Sequence, residues 1–144
     1  MTKRMYIFTN IILSIITVTI IGIILMMTIP CKVLTFEDDK LPITNHTVKA
    51  GDIVEYQVKC TKYRNLPAVV NRQLMNSYIY NYTPTVGNIS VGYSDRKIQI
   101  NIPDYAEAGI YFVRITYEYQ VNPLRKEKIT KDTETFMVIR DEEE

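Results

Sequence analysis

The chain has 144 residues, 47% of them hydrophobic, and a formal net charge of +1 at pH 7. This length favours one folded domain, and the near-neutral balance excludes a broadly basic surface for nucleic acid. The charges are unevenly placed, because residues 1–30 contain Lys3 and Arg4 but no acidic residue. The N-terminal segment and the rest of the chain therefore need separate interpretations.

Residues 6–29 form an apolar run without a charged side chain, and Pro30 follows it. As a helix, this run would measure about 36 Å, enough to cross a hydrocarbon core of about 30 Å. We therefore predict a transmembrane helix at 6–29 that ends before Pro30. A cleaved signal peptide would have a shorter apolar run and a small-residue cleavage site. A lipoprotein signal using Cys31 would need a small residue in place of Pro30. We favour a retained anchor.

The orientation follows from the short basic N-terminus at residues 1–5. Positively charged flanks tend to stay in the cytoplasm. Lys3 and Arg4 favour this side only slightly, since Lys32 and Lys40 follow the span. We expect a single-pass protein in the lipid bilayer, with its C-terminal part outside the cytoplasm, in the periplasm or at the cell surface.

The remainder of the chain predicts an all-β domain. Apolar and polar residues alternate in short runs separated by Gly, Pro, Asn and Asp, which is typical of half-buried strands. The predicted strands are Val54–Cys60, Ala68–Leu74, Tyr78–Tyr82, Val86–Tyr93, Ile98–Ile102, Tyr111–Val121 and Phe136–Val138. This organisation gives a juxtamembrane linker at 30–47, one β domain at 48–139 and an acidic tail at 140–144.

A Pro, an acidic turn and a Gly precede the longest predicted strand. In immunoglobulin-type sandwiches, a Tyr near the start of strand F bonds back to the backbone of the preceding corner. We predict that Tyr111 is this corner tyrosine and that Gly109 takes a positive φ, which glycine tolerates best. The alternative is an ordinary hairpin loop with an exposed tyrosine.

Several short motifs share the order found in immunoglobulin-like (Ig-like) domains. They are Arg72-Gln73-Leu74, Ile102-Pro103, Gly109-x-Tyr111, Asn122-Pro123-Leu124-Arg125 and Thr133-x-x-Phe136-x-Val138. With them, residues 48–139 resemble the small membrane-anchored Ig-like proteins of tailed phages and bacteria, whose role is unassigned. The resemblance implies an Ig-like antiparallel β-sandwich of about seven to eight strands behind one transmembrane helix, and it carries no activity. It departs from true Ig domains at Val113, where they have a Cys.

Residues for catalysis or metal binding are sparse. His46 is the only histidine and lies in a polar stretch, and no ligand spacing links it to Cys31 and Cys60. A zinc site or a Ser/His/Asp system would require such convergence. We therefore expect no enzyme activity, no metal, no cofactor and no small-molecule substrate.

The two cysteines leave two possibilities open. A Cys31–Cys60 disulfide would close a loop of about 30 residues and stabilise the fold by about 3 kcal/mol. However, Cys31 is predicted to lie beside the membrane and Cys60 on a buried strand face. We favour two free thiols.

The connection after the longest strand, Asn122–Asp132, is a candidate interaction loop. It carries Asn122, Arg125, Lys126 and Lys128, and end loops of a sandwich often bind partners. A solvated mixed-charge loop is the alternative.

The leading functional hypothesis is a non-catalytic, membrane-anchored binding or assembly module with a protein partner. The second is a structural subunit whose transmembrane helix packs with partner helices, and an envelope enzyme is a distant third.

Overall fold

The computed structural model describes residues 3–140, with side chains from residue 6 onward. These residues form one helix and ten strands. Residues 1–2 of the predicted basic N-terminus and residues 141–144 of the predicted acidic tail lie outside the described residues.

The N-terminal helix, α1, spans Lys3–Thr28. Its segment Tyr6–Thr28 is long and apolar enough to cross a membrane, with a mean hydropathy of 2.7, and it is not buried against the rest of the chain. The hydroxyls of Thr17 and Thr19 donate to backbone carbonyls four residues earlier. These bonds satisfy the hydroxyls within the helix, so the segment presents an almost entirely apolar surface.

The remainder of the described chain is mostly β. The strands are β1 (Leu34–Phe36), β2 (Thr47–Lys49), β3 (Ile53–Lys62), β4 (Ala68–Met75), β5 (Ile79–Asn81), β6 (Thr85–Gly87), β7 (Gly92–Asn101), β8 (Gly109–Asn122), β9 (Arg125–Asp132) and β10 (Phe136–Ile139).

Two sheets organise these strands. The smaller has the order β1-β3-β7, and the larger has the order β2-β10-β8-β4-β5, with β6 also paired to β4 and β9 also paired to β8. Pairing is antiparallel throughout the named strands except between β2 and β10. The long strand β8 therefore pairs with β4 along one edge and with β10 and then β9 along the other.

One hydrophobic core receives side chains from both sheets. Alternate residues of β3 and β8 are buried, as their period-two pattern predicts. Phe36 of the small sheet packs on Tyr117 of the large one, with ring centroids 5.4 Å apart. The tyrosines of β8 thus contribute to the core, whereas Tyr78, beside β5, is exposed.

Three predicted segments differ from the structure. The predicted strand Val86–Tyr93 is not continuous, because β6 ends at Gly87 and β7 begins at Gly92, where φ is +107°. The predicted linker at 30–47 contains β1 and buries Val33, Leu34, Leu41 and Ile43. Its apolar residues have no regular spacing, so their burial depends on the sheets that they meet. The predicted loop Asn122–Asp132 is instead a hairpin whose second arm is β9.

Candidate binding cleft

A cleft opens between the edges of the two sheets, where β7 of the small sheet faces β4 and β6 of the large one. Its volume is about 160 Å³. Its lining includes Val58, Cys60, Val70 and Tyr117 toward the core, and Arg72, Thr85, Asn88, Ser94 and Arg96 as polar groups. An engineered cavity of roughly 150 Å³ is large enough for benzene. The cleft can therefore accept a side chain of about that size.

Arg72 is held in place by hydrogen bonds. Its Nε donates to the Tyr56 hydroxyl at 3.2 Å, and its Nη1 donates to Thr85 Oγ1 at 2.9 Å. Arg96 is exposed and also lines the cleft. Within residues 3–140, neither arginine forms an ion pair with a carboxylate. The cleft consequently combines an apolar interior with two positive charges that lack an acidic partner there.

Next to the cleft, Lys62 is almost fully buried at the end of β3. Its Nζ donates to Asn88 Oδ1 and to the Leu66 carbonyl, both at 2.6 Å. Burial lowers the pKa of Lys62 because it disfavours the charged form. The same amine lies 5.6 Å from the centroid of the Tyr119 ring. Lys62 thus positions Asn88, which reaches the cleft lining.

Cys60 lies on the inner wall and is fully buried. Burial raises the pKa of its thiol, and nearby Arg96 and Lys62 oppose this effect. A protonated thiol is a poor nucleophile. Among the described residues that line the cleft there is no carboxylate or imidazole to accept a proton from it. Both Cys60 and the half-buried Cys31 are free thiols.

A shallower groove continues from the cleft along β7. It has a volume of about 460 Å³ and shares Arg72, Thr85 and Ile98 with the cleft. The Tyr82 hydroxyl closes one end of this region by donating to the Asn101 carbonyl at 2.8 Å. An extended ligand could thus place one side chain in the cleft and its backbone in the groove.

The predicted corner lies away from the cleft, at the start of β8. The Tyr111 hydroxyl donates to the Glu107 carbonyl at 2.9 Å, the kind of contact that a corner tyrosine makes. Burial is the main factor that raises the pKa of Tyr111 to about 12. Gly109, in contrast, does not have the predicted positive φ. The positive values belong to Gly51, at +90°, and Gly92.

Gly109 lies where there is little room for a side chain. A Cβ at this position would lie 2.9 Å from Asn76 Nδ2, the tip of a side chain. At Gly51, a Cβ would lie 2.6 Å from Asp104 Oδ1. The special backbone angle near this corner is therefore in the turn before β3, where the Gly51 amide donates to the Ile102 carbonyl.

The four residues of the predicted interaction loop separate into two groups on the hairpin. Lys126 and Lys128 both bind Glu118 of β8, at 2.8 and 3.2 Å. Asn122 and Arg125 instead contact the C-terminal end of α1. All four side chains therefore make contacts within the chain, two on the hairpin and two at the end of α1. Sequence reasoning also missed the cleft, since its polar residues come from β4, β6, β7 and the segment after β6, with no shared motif.

No protein-family model matches the sequence, and a search of curated proteins finds no match. Among solved structures, the chain is similar to the alkylpurine DNA glycosylase AlkC of Pseudomonas fluorescens (TM-score 0.48, 11% identity, 76% of this chain and 31% of that one). It is also similar to the sporulation control protein Spo0M of Bacillus subtilis (0.44, 8%, 75% and 50%) and to a β-glucosidase of Listeria innocua (0.38, 9%, 69% and 15%). The chain thus spans half or less of these proteins, and similarities this distant carry no argument about its function.

Proposed function

We propose that this protein is a non-catalytic, membrane-anchored Ig-like module that binds a protein partner outside the cytoplasm. The observation that carries the binding role is the cleft, with its apolar interior and the guanidinium groups of Arg72 and Arg96, which form no ion pair among the residues that the structure describes. The partner that fits it presents an apolar side chain next to a carboxylate. Burial of that carboxylate beside a guanidinium would form a charge-assisted hydrogen bond.

The Ig-like part of the proposal is supported by the arrangement of strands. An Ig domain has one sheet with the order ABED and another with CFG. The order β1-β3-β7 is compatible with A-B-E, and β4-β8-β10 is compatible with C-F-G. The hydrogen bond from the Tyr111 hydroxyl to the Glu107 carbonyl also supports a corner of this kind before β8. A counterpart of strand D is absent from the small sheet of the described chain, which leaves the edge of β7 beside the cleft.

Membrane anchoring is supported by α1, whose apolar surface is not covered by the described domain. A retained helix of this length would make membrane association effectively irreversible. The Lys3–Arg4 flank favours a cytoplasmic N-terminus. The cleft would then face the periplasm or the cell surface.

Site-specific photocrosslinking in native membranes tests the binding role. A photoreactive residue replaces Ser94, which lines the cleft, in the full-length chain. We expect a crosslinked partner that is lost when Arg72→Gln and Arg96→Gln are combined. Lys97→Gln is the matched control, since Lys97 neighbours Arg96 but pairs with Glu55 at 3.1 Å and does not line the cleft.

Exchange of α1 for an unrelated transmembrane helix separates the two leading hypotheses. A binding module keeps its crosslink at Ser94 after the exchange. Loss of the crosslink on exchange, with no effect of the two arginine substitutions, would instead favour a structural subunit whose span packs with partner helices. Absence of any specific crosslink at Ser94 would refute the proposed cleft partner.

A further inference from the structure

The C-terminal end of α1 is bonded directly to the β8–β9 hairpin. Asn122 Nδ2 donates to the Met26 carbonyl at 2.8 Å. Arg125 Nη1 donates to the carbonyls of Met27 and Ile29 at 3.2 and 3.0 Å. The last carbonyls of a helix lack partners within the helix, and a cation there also complements the helix dipole. Two side chains of the β domain therefore cap the proposed membrane helix.

The chain between the helix and the domain is too short to separate them. Helix α1 ends at Thr28, and Val33 is already buried in the core. Five residues span at most about 18 Å even when fully extended. Cys31, within this segment, also packs against the core. The domain is thus held at the helix end and has no long flexible tether.

The residues at this end of the domain have the side-chain types of a membrane interface. Leu124, in the hairpin turn, is 53% exposed, and Tyr63, at the end of β3, is 45% exposed. The Lys32 amine lies 4.7 Å from the centroid of the Tyr63 ring. Arg64, the next residue along the chain, is exposed. Tyrosines and long basic side chains favour the headgroup region, where their apolar parts and polar tips are both accommodated.

We infer that Lys32, Tyr63, Arg64, Leu124 and Arg125 form a collar that docks the β domain onto the membrane surface, with anionic phospholipid headgroups as its partner. This inference rests on the proposed membrane anchoring. The charges of the collar support an anionic partner. Glu127 is paired with Arg125 at 2.9 Å, whereas Lys32 and Arg64 form no ion pair within the described residues. Anionic headgroups in the leaflet beside the domain attract cations that lie near the membrane surface, and this attraction falls off within about a Debye length.

A single tryptophan can report the position of the collar, because the chain contains none. Leu124→Trp places the probe in the hairpin turn. Ile110→Trp is the matched control, since Ile110 is 63% exposed at the other end of β8. The twelve-residue separation between Ile110 and Asn122 is about 40 Å along a strand. Each full-length variant is reconstituted into nanodiscs that contain phosphatidylglycerol and lipids brominated on their acyl chains.

We expect a blue-shifted emission and strong bromine quenching for Leu124→Trp, and neither for Ile110→Trp. Exchange of phosphatidylglycerol for phosphatidylcholine should reduce the quenching of Leu124→Trp. When Lys32→Gln and Arg64→Gln are added to the Leu124→Trp variant, its quenching should also fall in nanodiscs that contain phosphatidylglycerol.

The outcomes distinguish the collar from the anchor. If Leu124→Trp is unquenched while the protein remains integrated in the nanodisc, the collar is refuted and the anchoring stands. If both tryptophans are quenched equally, the domain lies flat on the bilayer and the collar is again refuted. If quenching at position 124 is independent of lipid charge, the anionic partner is refuted. If the chain does not integrate at all, the proposed anchoring fails and the collar fails with it.

Discussion

Two buried tyrosines on β8 provide a direct test of how this fold treats its hydroxyl groups. Tyr111 and Tyr119 are both fully buried and, eight residues apart, lie on the same strand face. The Tyr111 hydroxyl donates to the Glu107 carbonyl at 2.9 Å. The Tyr119 hydroxyl is buried without a hydrogen-bond partner in the described part of the chain. The same substitution, Tyr to Phe, therefore removes a bonded hydroxyl at one position and an unbonded one at the other.

The two changes should have opposite signs. Tyr111→Phe loses one hydrogen bond and should lower the free energy of unfolding by about 1 kcal/mol. Glu107 is an exposed residue, so water can replace the lost donor and the cost should not become larger. Tyr119→Phe removes a polar group whose burial without a partner costs about 1–3 kcal/mol. Tyr119→Phe should therefore leave the free energy of unfolding unchanged or raise it by up to about 3 kcal/mol.

Urea unfolding of the full-length variants in a mild detergent, followed by circular dichroism in the β region, measures both effects. The ring is retained in each variant, so the slope against urea should match that of the unsubstituted protein. If Tyr119→Phe proves as costly as Tyr111→Phe, its hydroxyl has a bonding partner and the proposed difference is wrong. If Tyr111→Phe is silent, the bond to Glu107 does not stabilise the corner.

Three further predictions concern the backbone, the thiols and alkaline pH. Gly51→Ala should destabilise the protein by about 1 kcal/mol or more, because φ is +90° at this position. Gly109→Ala should change stability by less, since only the tip of the Asn76 side chain must move. The urea midpoints of the two variants check this order, and a larger loss of stability for Gly109→Ala would contradict it. In the native protein, a soluble disulfide reagent should modify Cys31 before Cys60, because the Cys60 thiol is fully buried and has a raised pKa. Equal rates of modification would contradict this order and show that the cleft wall around Cys60 opens readily. Burial raises the pKa of Tyr119 to about 12, above the unfolded value of about 10. Ionisation of this phenol therefore favours the unfolded chain, so the stability of the native protein falls as the pH rises from about 10 toward 12 and is not affected by this group at lower pH. The free energy of unfolding should thus fall less steeply between about pH 9 and 11 for Tyr119→Phe than for the unsubstituted protein. If the two slopes are equal, Tyr119 does not contribute to the loss of stability at alkaline pH.

The sequence alone was sufficient for the elements with a strong periodic signal. The apolar run at 6–29 predicted α1 to within a few residues, because membrane-length helices require an uninterrupted apolar segment. The alternation in β3 and β8 predicted which side chains are buried, because successive strand residues point to opposite faces. The corner motif likewise predicted the Tyr111 contact, since a bond four residues upstream is local in the chain.

Other features depended on contacts between distant segments. β9 is largely charged, and it forms a strand because the edge of β8 supplies its backbone partners. The positive φ belongs to Gly51 and not to Gly109, because the turn before β3 must bring its amide to Ile102, about 50 residues later. The cleft and the helix cap also depend on residues that are far apart in the sequence. Arg72 and Arg96 lie on different sheets, and Asn122 reaches Met26 from 96 residues away. No local pattern encodes such pairs, since only the packing of the sheets, and of the hairpin against α1, brings them together.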